Sequence, residues 1–217
     1  MSWLIDMMLA GLNFFYFYTG NYGVSIIVLT ILVNIALYPL TLSSIVQMAV
    51  LQKVQPKIQE LQKKHKDKPA EMQKELAELY KKEKINPFGG CLPMLLKIPF
   101  FIGFFMALQS KEFLAIISNP DVNSSFLWIG NLAKPDVTYV MVGLIGLSTY
   151  WAQKSMPASN AGNNPMAGMT MIMPFFIAFI SINFPAGVQL YWVVSSVVGA
   201  LQQMFIIKYA MPAKESF

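Results

Sequence analysis

Five stretches of this chain are apolar over roughly the length of a bilayer-crossing helix, and lysines or turn residues separate them. A spanning helix needs about 20 mainly apolar residues. The five stretches run over residues 20–46, 87–109, 136–153, 166–183 and 187–208. Between the last two lies Asn183-Phe184-Pro185-Ala186-Gly187, turn chemistry that predicts a tight hairpin of spans. One aqueous core could not cover so much apolar surface. The expected fold is therefore an all-α integral membrane protein with five transmembrane helices.

Composition agrees. Hydrophobic residues make up 55% of the 217 and charged ones 12%, with mean hydropathy +0.50. A soluble domain carries about a quarter charged residues. All sixteen basic residues are lysine. Lack of arginine, the preferred fork for phosphate and guanine, argues against sequence-specific nucleic-acid partners. Cys91 and His65 are each single, so no metal cage and no internal disulfide are expected. No cofactor is implied.

Lysine placement sets the expected orientation. Ten lysines fall between the first and second stretches; Lys154 follows the third, and Lys208 and Lys214 follow the fifth. The opposite side holds Lys111 and Lys134. The positive-inside rule then puts the N-terminus outside and the C-terminal tail, 209–217, in the cytoplasm of a cell-membrane protein. That arrangement needs an odd number of spans, as the hydropathy gives.

Segment 1–19 has no basic n-region and carries Asp6, so it does not read as a cleaved signal. Leu4, Met7, Met8, Gly11, Leu12 and Phe15 form a helical stripe, which predicts an external interfacial amphipathic helix. The alternative is the front end of one long tilted span. External segment 110–135 carries Phe113, Leu114, Ile116, Ile117, Phe126, Leu127 and Trp128, a composition suited to the outer interface. Segment 154–165 is polar and rich in Gly, Pro and Asn, as in a cytoplasmic loop.

Segment 47–86 is patterned as two helices. Leu51, Val54, Ile58 and Leu61 make one narrow seam; Met72, Leu76 and Leu79 make a second. Lys66-Asp67-Lys68-Pro69 separates them, with Pro69 opening the second helix. Glu60–Lys64 and Glu78–Lys82 are favourable i,i+4 pairs. The expected product is a cytoplasmic antiparallel helical hairpin with ten lysines against six acids. Lys53, Lys57, Lys63, Lys64, Lys81 and Lys82 are its candidate partner surface. A solvated face beside anionic lipid is the simpler reading of the same charges.

An ionisable residue inside the membrane signals function by default. Lys97 is ten residues beyond Pro87, roughly 15 Å along a helix. A lysine at that depth costs about 2.5–3.5 kcal/mol on translocon scales. A water-filled cavity would remove most of that cost; snorkelling covers only part of it. Asn34 sits at similar depth in the first span and could face the same cavity. Thr30, Thr41, Ser43, Ser44 and Gln47 add polarity there, as do Gln153, Gln202 and Gln203 toward the inner ends of the third and fifth spans. Lys97, Asn34, Thr30, Gln153 and Gln202 are the candidate substrate groove, wet from inside and sealed outside by Phe, Trp and Met. For any single Ser, Thr or Gln, interhelical bonding is the simpler role. Pro93, Pro99 and Pro174 should kink their spans. No acid, His or metal constellation suggests catalysis, so no enzyme is expected.

The run Asn86-Pro87-Phe88-Gly89-Gly90-Cys91-Leu92-Pro93-Met94-Leu95-Leu96-Lys97-Ile98-Pro99-Phe100-Phe101 resembles the signature of the YidC family of membrane protein insertases, with its Oxa and Alb relatives. So do Gly20-Asn21-Tyr22-Gly23-Val24-Ser25-Ile26-Ile27, Tyr38-Pro39-Leu40-Thr41-Leu42, Phe184-Pro185-Ala186-Gly187 and Leu190-Tyr191-Trp192-Val193-Val194-Ser195. The resemblance covers essentially the whole chain and is closest to the short form without a large extracytoplasmic domain. It implies five spans, a cytoplasmic hairpin and a positively charged groove. That groove receives the polar tail of an incoming membrane protein, alone or beside the Sec translocon. Nascent membrane proteins and the lipid bilayer are the implied partners. The residues after Lys208 are few, so a ribosome or targeting receptor would meet the hairpin.

One departure stands out. The family usually carries Arg or Lys at the position of Asn34, and glutamine where this chain has Lys97. The groove charge looks moved from the first span to the second. Other classes fit less well. A solute transporter or channel would need polarity across the full membrane, a lipid enzyme a reactive cluster, and a passive scaffold no central lysine.

Overall fold

The computed structural model describes residues 2–65, 68–83, 92–119, 122–155 and 165–210. Within them the chain is helical: α1 (Ser2–Thr19), α2 (Tyr22–Ala36), α3 (Tyr38–Lys64), α4 (Pro69–Lys82), α5 (Leu92–Leu108), α6 (Lys111–Ile117), α7 (Val140–Lys154), α8 (Pro165–Ser181) and α9 (Ala186–Phe205). A π-helical turn, Ile206–Ala210, continues α9. Phe126 and Ile129 form one isolated bridge in the connection from α6 to α7. Residues 86–91 of the family-like motif, with Cys91, and most of segment 154–165 lie outside the described residues.

Among the described residues, Ala186–Tyr209 is the one helix long and apolar enough to cross a membrane by itself. The number rises to three if two bent pairs each count as one span. These are Tyr22–Ala36 with Tyr38–Leu51, bent by 60°, and Lys97–Leu108 with Lys111–Ile117, bent by 55°. The expected first span is therefore not straight. Asn21 starts α2 by accepting from the Gly23 and Val24 N–H groups. The helix ends at Ala36 because Pro39 has no N–H to offer the carbonyl of Ile35, four residues back. The same proline then serves the first turn of α3, where a missing N–H does no harm.

α9 is the central post, packed against α2, α3, α5 and α7. Its N-terminal end is fixed by backbone bonds: the N–H groups of Ala186 and Gly187 donate to the carbonyls of Lys134 and Leu132, both at 2.8 Å. Glycine at 187 permits this close approach: a Cβ there would lie 2.8 Å from Leu108 Cδ1 and 3.2 Å from the Leu132 carbonyl oxygen, so neighbours would have to shift. Gln189, fully buried, ties α9 to α8 by donating to the Ser181 carbonyl at 2.7 Å.

The main core joins α1, α2, α5, α6 and α9 through Leu4, Met8, Leu12, Ile26, Phe104 and Phe113, among others. The stripe on α1 is thus buried against α2 and α5, with Leu9 added and Met7 left 43% exposed. α1 is a layer of the bundle more than a helix lying free on its rim. In segment 110–135, Phe113 and Ile117 enter this core, whereas Leu127 and Trp128 stay exposed.

α3 and α4 pack through Val54 and Ile58, with Leu51, Leu76, Leu79 and Tyr80 around them. Leu51, Val54 and Ile58 of the first expected seam meet Leu76 and Leu79 of the second, while Leu61 and Met72 stand outside this cluster. Lys57 Nζ lies 2.7 Å from Glu83, and the His65 ring nitrogens lie 3.5 Å from Glu71 and 3.1 Å from Glu75. Lys64, expected to pair with Glu60, lies 3.9 Å from Glu75 instead. Across the pair of helices, partner numbers fall on α4 as they rise on α3.

Candidate functional site

α2, α5 and α9 bring most of the expected groove residues together. Asn34, 2% exposed in the last turn of α2, donates from Nδ2 to the Thr30 carbonyl at 2.8 Å and faces the Ser195 hydroxyl at 3.4 Å. Gln202, two turns further along α9, donates to the Asn34 carbonyl at 3.0 Å. That carbonyl belongs to the last turn before the break at Leu37, where helix carbonyls lack intrahelical partners. Gln202 therefore closes the broken end of α2 from a neighbouring helix.

Lys97 enters from α5, half-buried. Its ammonium reaches the backbone of α9 at Gly199, so close that a Cβ there would sit 3.3 Å from Nζ. Ser195, Gly199 and Gln203 are four residues apart, so one face of α9 serves both sides. Asn34 meets its Ser195 end and Lys97 its Gly199 position.

One turn further along α5 from Lys97 the chemistry changes. Phe101 packs edge-to-face on Trp192 at 5.2 Å, and Phe104 stacks on Tyr191 at 4.6 Å. Phe105 and Phe184 extend the layer at 5.8 Å. Such pairs add about 0.5–1.5 kcal/mol each beyond burial. The polar seam stops against this aromatic wall. Trp192 also donates to the Thr149 hydroxyl at 3.2 Å, which holds α7 to the far side of α9.

The other expected residues divide. Thr30 is fully buried beside Asn34, but its hydroxyl donates to the Ile26 carbonyl at 2.6 Å and is not offered to the seam. Gln153 is half-buried in the last turn of α7 and makes no hydrogen bond to the Asn34 cluster among the described residues. The six hairpin lysines, Lys53, Lys57, Lys63, Lys64, Lys81 and Lys82, are all exposed. Lys57 is engaged with Glu83, whose carboxyl it holds below the usual glutamate range by its hydrogen bond and its charge. The site also holds two residues that sequence reasoning left out of the groove, Ser195 and Gly199. The i,i+4 run Gly187, Tyr191, Ser195, Gly199, Gln203 was the signal for them.

An apolar helical bundle with a buried polar seam is the architecture of a membrane-embedded protein. The chain belongs to the 60Kd inner membrane protein family, whose model matches residues 14–214. It is 37% identical to the membrane protein insertase YidC of Oleidesulfovibrio alaskensis, over 95% of this chain and 39% of that protein. It is 38% identical to the YidC of Syntrophus aciditrophicus (97% of this chain, 37% of that protein) and 40% identical to that of Geobacter metallireducens (94% and 37%). The chain thus spans less than two-fifths of the length of these curated relatives. Its fold is similar to that of an active YidC insertase crystal structure with the first transmembrane domain resolved. The TM-score is 0.73 at 21% identity, over 94% of this chain and 45% of that one.

Proposed function

We propose that this chain inserts membrane proteins into the bilayer and helps them fold, with the seam between α2, α5 and α9 as the groove for their polar tails. The observation that carries this reading is Lys97. An ammonium half-buried between apolar helices, with amides and a hydroxyl inward and an aromatic wall outward, suits a polar or acidic segment that enters from one side. The work is non-covalent: a polar tail is solvated partway across while its apolar part partitions into lipid.

In this reading the chain crosses the cell membrane five times. The spans are α2 with the start of α3, α5, α7, α8 and α9. The N-terminus lies outside and the C-terminus in the cytoplasm, as the lysine asymmetry suggests. The far part of α3 and α4 form an antiparallel hairpin on the cytoplasmic side. Its exposed lysines are the surface for anionic headgroups, a ribosome or a targeting receptor, and the Sec translocon is a candidate neighbour. Exposed Phe175, Phe176 and Phe179 on α8 and Leu147 on α7 suit contact with lipid.

The test is insertion of a short single-spanning protein into liposomes with and without the purified chain, read as protease protection of the translocated tail. Protection that depends on the chain is expected; none above empty liposomes, with the chain folded, would refute the proposal. Lys97→Gln should slow acidic-tailed substrates roughly tenfold and neutral-tailed ones much less, because the groove acts through its net charge.

A further inference from the structure

Four buried side-chain oxygens near the inner end of the seam have no hydrogen-bond partner among the described residues: Ser44 Oγ, Gln47 Oε1, Gln202 Oε1 and Gln203 Oε1. Ser44 is fully buried and Gln203 8% exposed. They lie on elements packed together, since α3 contacts both α9 and the π turn that follows it. The Gln202 amide cannot be reversed, because its Nε2 donates to the Asn34 carbonyl and a flip would set oxygen against oxygen. A buried polar group without a partner costs about 1–3 kcal/mol, so a cluster of them implies a bound donor.

The three amide oxygens only accept, while the Ser44 hydroxyl can turn either to accept or to donate, so the cluster as a whole disfavours an anion as the occupant. A cation is disfavoured as well: Gly199, against which the Lys97 ammonium rests, is one turn of α9 from Gln203. A neutral donor remains, either a water O–H or an amide N–H. An extended peptide supplies a row of the latter, together with carbonyls that the Lys97 ammonium can serve as donor.

We propose that the inner mouth of the groove binds the main chain of the incoming polar tail, with Ser44, Gln47, Gln202 and Gln203 accepting from its backbone N–H groups. This rests on the insertase reading and adds to it a recognition that ignores side-chain sequence. Lys97 sorts tails by charge; the acceptor cluster holds any tail.

The test uses the full chain in liposomes and a synthetic single-spanning substrate whose tail is made with ordinary or N-methylated peptide bonds. N-methylation removes the donors and eases desolvation, so a merely wet passage would translocate the methylated tail faster. Backbone binding predicts slower translocation, by about three- to tenfold, the worth of one or two neutral hydrogen bonds. Gln203→Leu and Gln47→Leu should slow ordinary tails by a similar factor, equally for acidic and neutral ones, with little further loss on N-methylation. Faster or unchanged transit of the methylated tail through the unaltered chain overturns the proposal, as does a variant defect confined to acidic tails. The methylation arm needs no variant to fold. Failure of the unaltered chain to translocate the ordinary tail would instead overturn the insertase reading itself.

Discussion

Asp136 sets the entry to α7. Its Oδ2 accepts from the Met141 N–H at 2.9 Å, and its Oδ1 from the Thr138 N–H and hydroxyl at 3.0 and 2.7 Å. These bonds satisfy first-turn donors that no intrahelical carbonyl can reach. They also hold the chain where Tyr139 takes the left-handed conformation, φ 59°. Asp136→Ala should therefore destabilise the protein by about 1–2 kcal/mol, the range for losing a helix cap. Thermal unfolding in detergent micelles would show this as a lower Tm; an unchanged Tm would mean that the turn holds without the carboxylate. Such a role was invisible beforehand, because an aspartate at the edge of an apolar stretch reads only as the end of that stretch. Lys97 and Asn34 were legible as single residues, since a charge or an amide inside an apolar run is conspicuous on its own. Thr30 was conspicuous for the same reason, yet its hydroxyl bonds to its own helix. Type and depth alone do not say which way a side chain faces.

At the scale of elements, the packing of α3 on α4 rests on a small apolar contact, and its ion pairs modulate it. The Lys57–Glu83 pair is exposed, so its worth in salt is modest. Its sign is nevertheless defined. The Glu83 carboxyl titrates lower in the folded protein than in the unfolded chain, so it favours folding above the ordinary glutamate range. That contribution fades as pH falls through the depressed folded value. Hydrogen-exchange protection of α4 should accordingly weaken slightly between about pH 5 and pH 3, and Glu83→Gln should remove this component. An identical pH profile for that variant would assign the effect to other carboxylates. The two seams were readable from 3-4 spacing alone, and Leu51, Val54, Ile58, Leu76 and Leu79 are where that spacing put them. The bend between α2 and α3 was not read. Tyr38-Pro39 was present in the sequence, but a proline in an apolar run can kink a helix, end it or be tolerated; neighbours decide which.

Across the whole molecule, α9 couples the parts: its N-terminal end is tied to the backbone of Leu132 and Lys134, it carries two of the six rings of the aromatic wall, and it meets both Asn34 and Lys97. Gly199→Ala tests this. The added methyl would press on the Lys97 ammonium, the far end of a flexible side chain, while improving helix propensity by roughly 1 kcal/mol, so the fold should survive. Reconstituted insertion should then fall several-fold with Tm unchanged or raised; insertion at the original rate would show that the Lys97–Gly199 approach is dispensable. The sequence by itself determined that the chain is helical, which stretches are apolar, where α3 and α4 touch, and which family it belongs to. All of these are carried by local spacing and composition or by ordered motifs. Only the tertiary structure decided that α1 is buried against α2 and α5, that the first apolar stretch bends by 60°, and that Gln202 closes the end of α2. It alone set the boundary between polar seam and aromatic wall one turn along α5 from Lys97. The reason is physical: periodicity defines a face, but which neighbour that face meets is settled by packing between helices far apart in sequence.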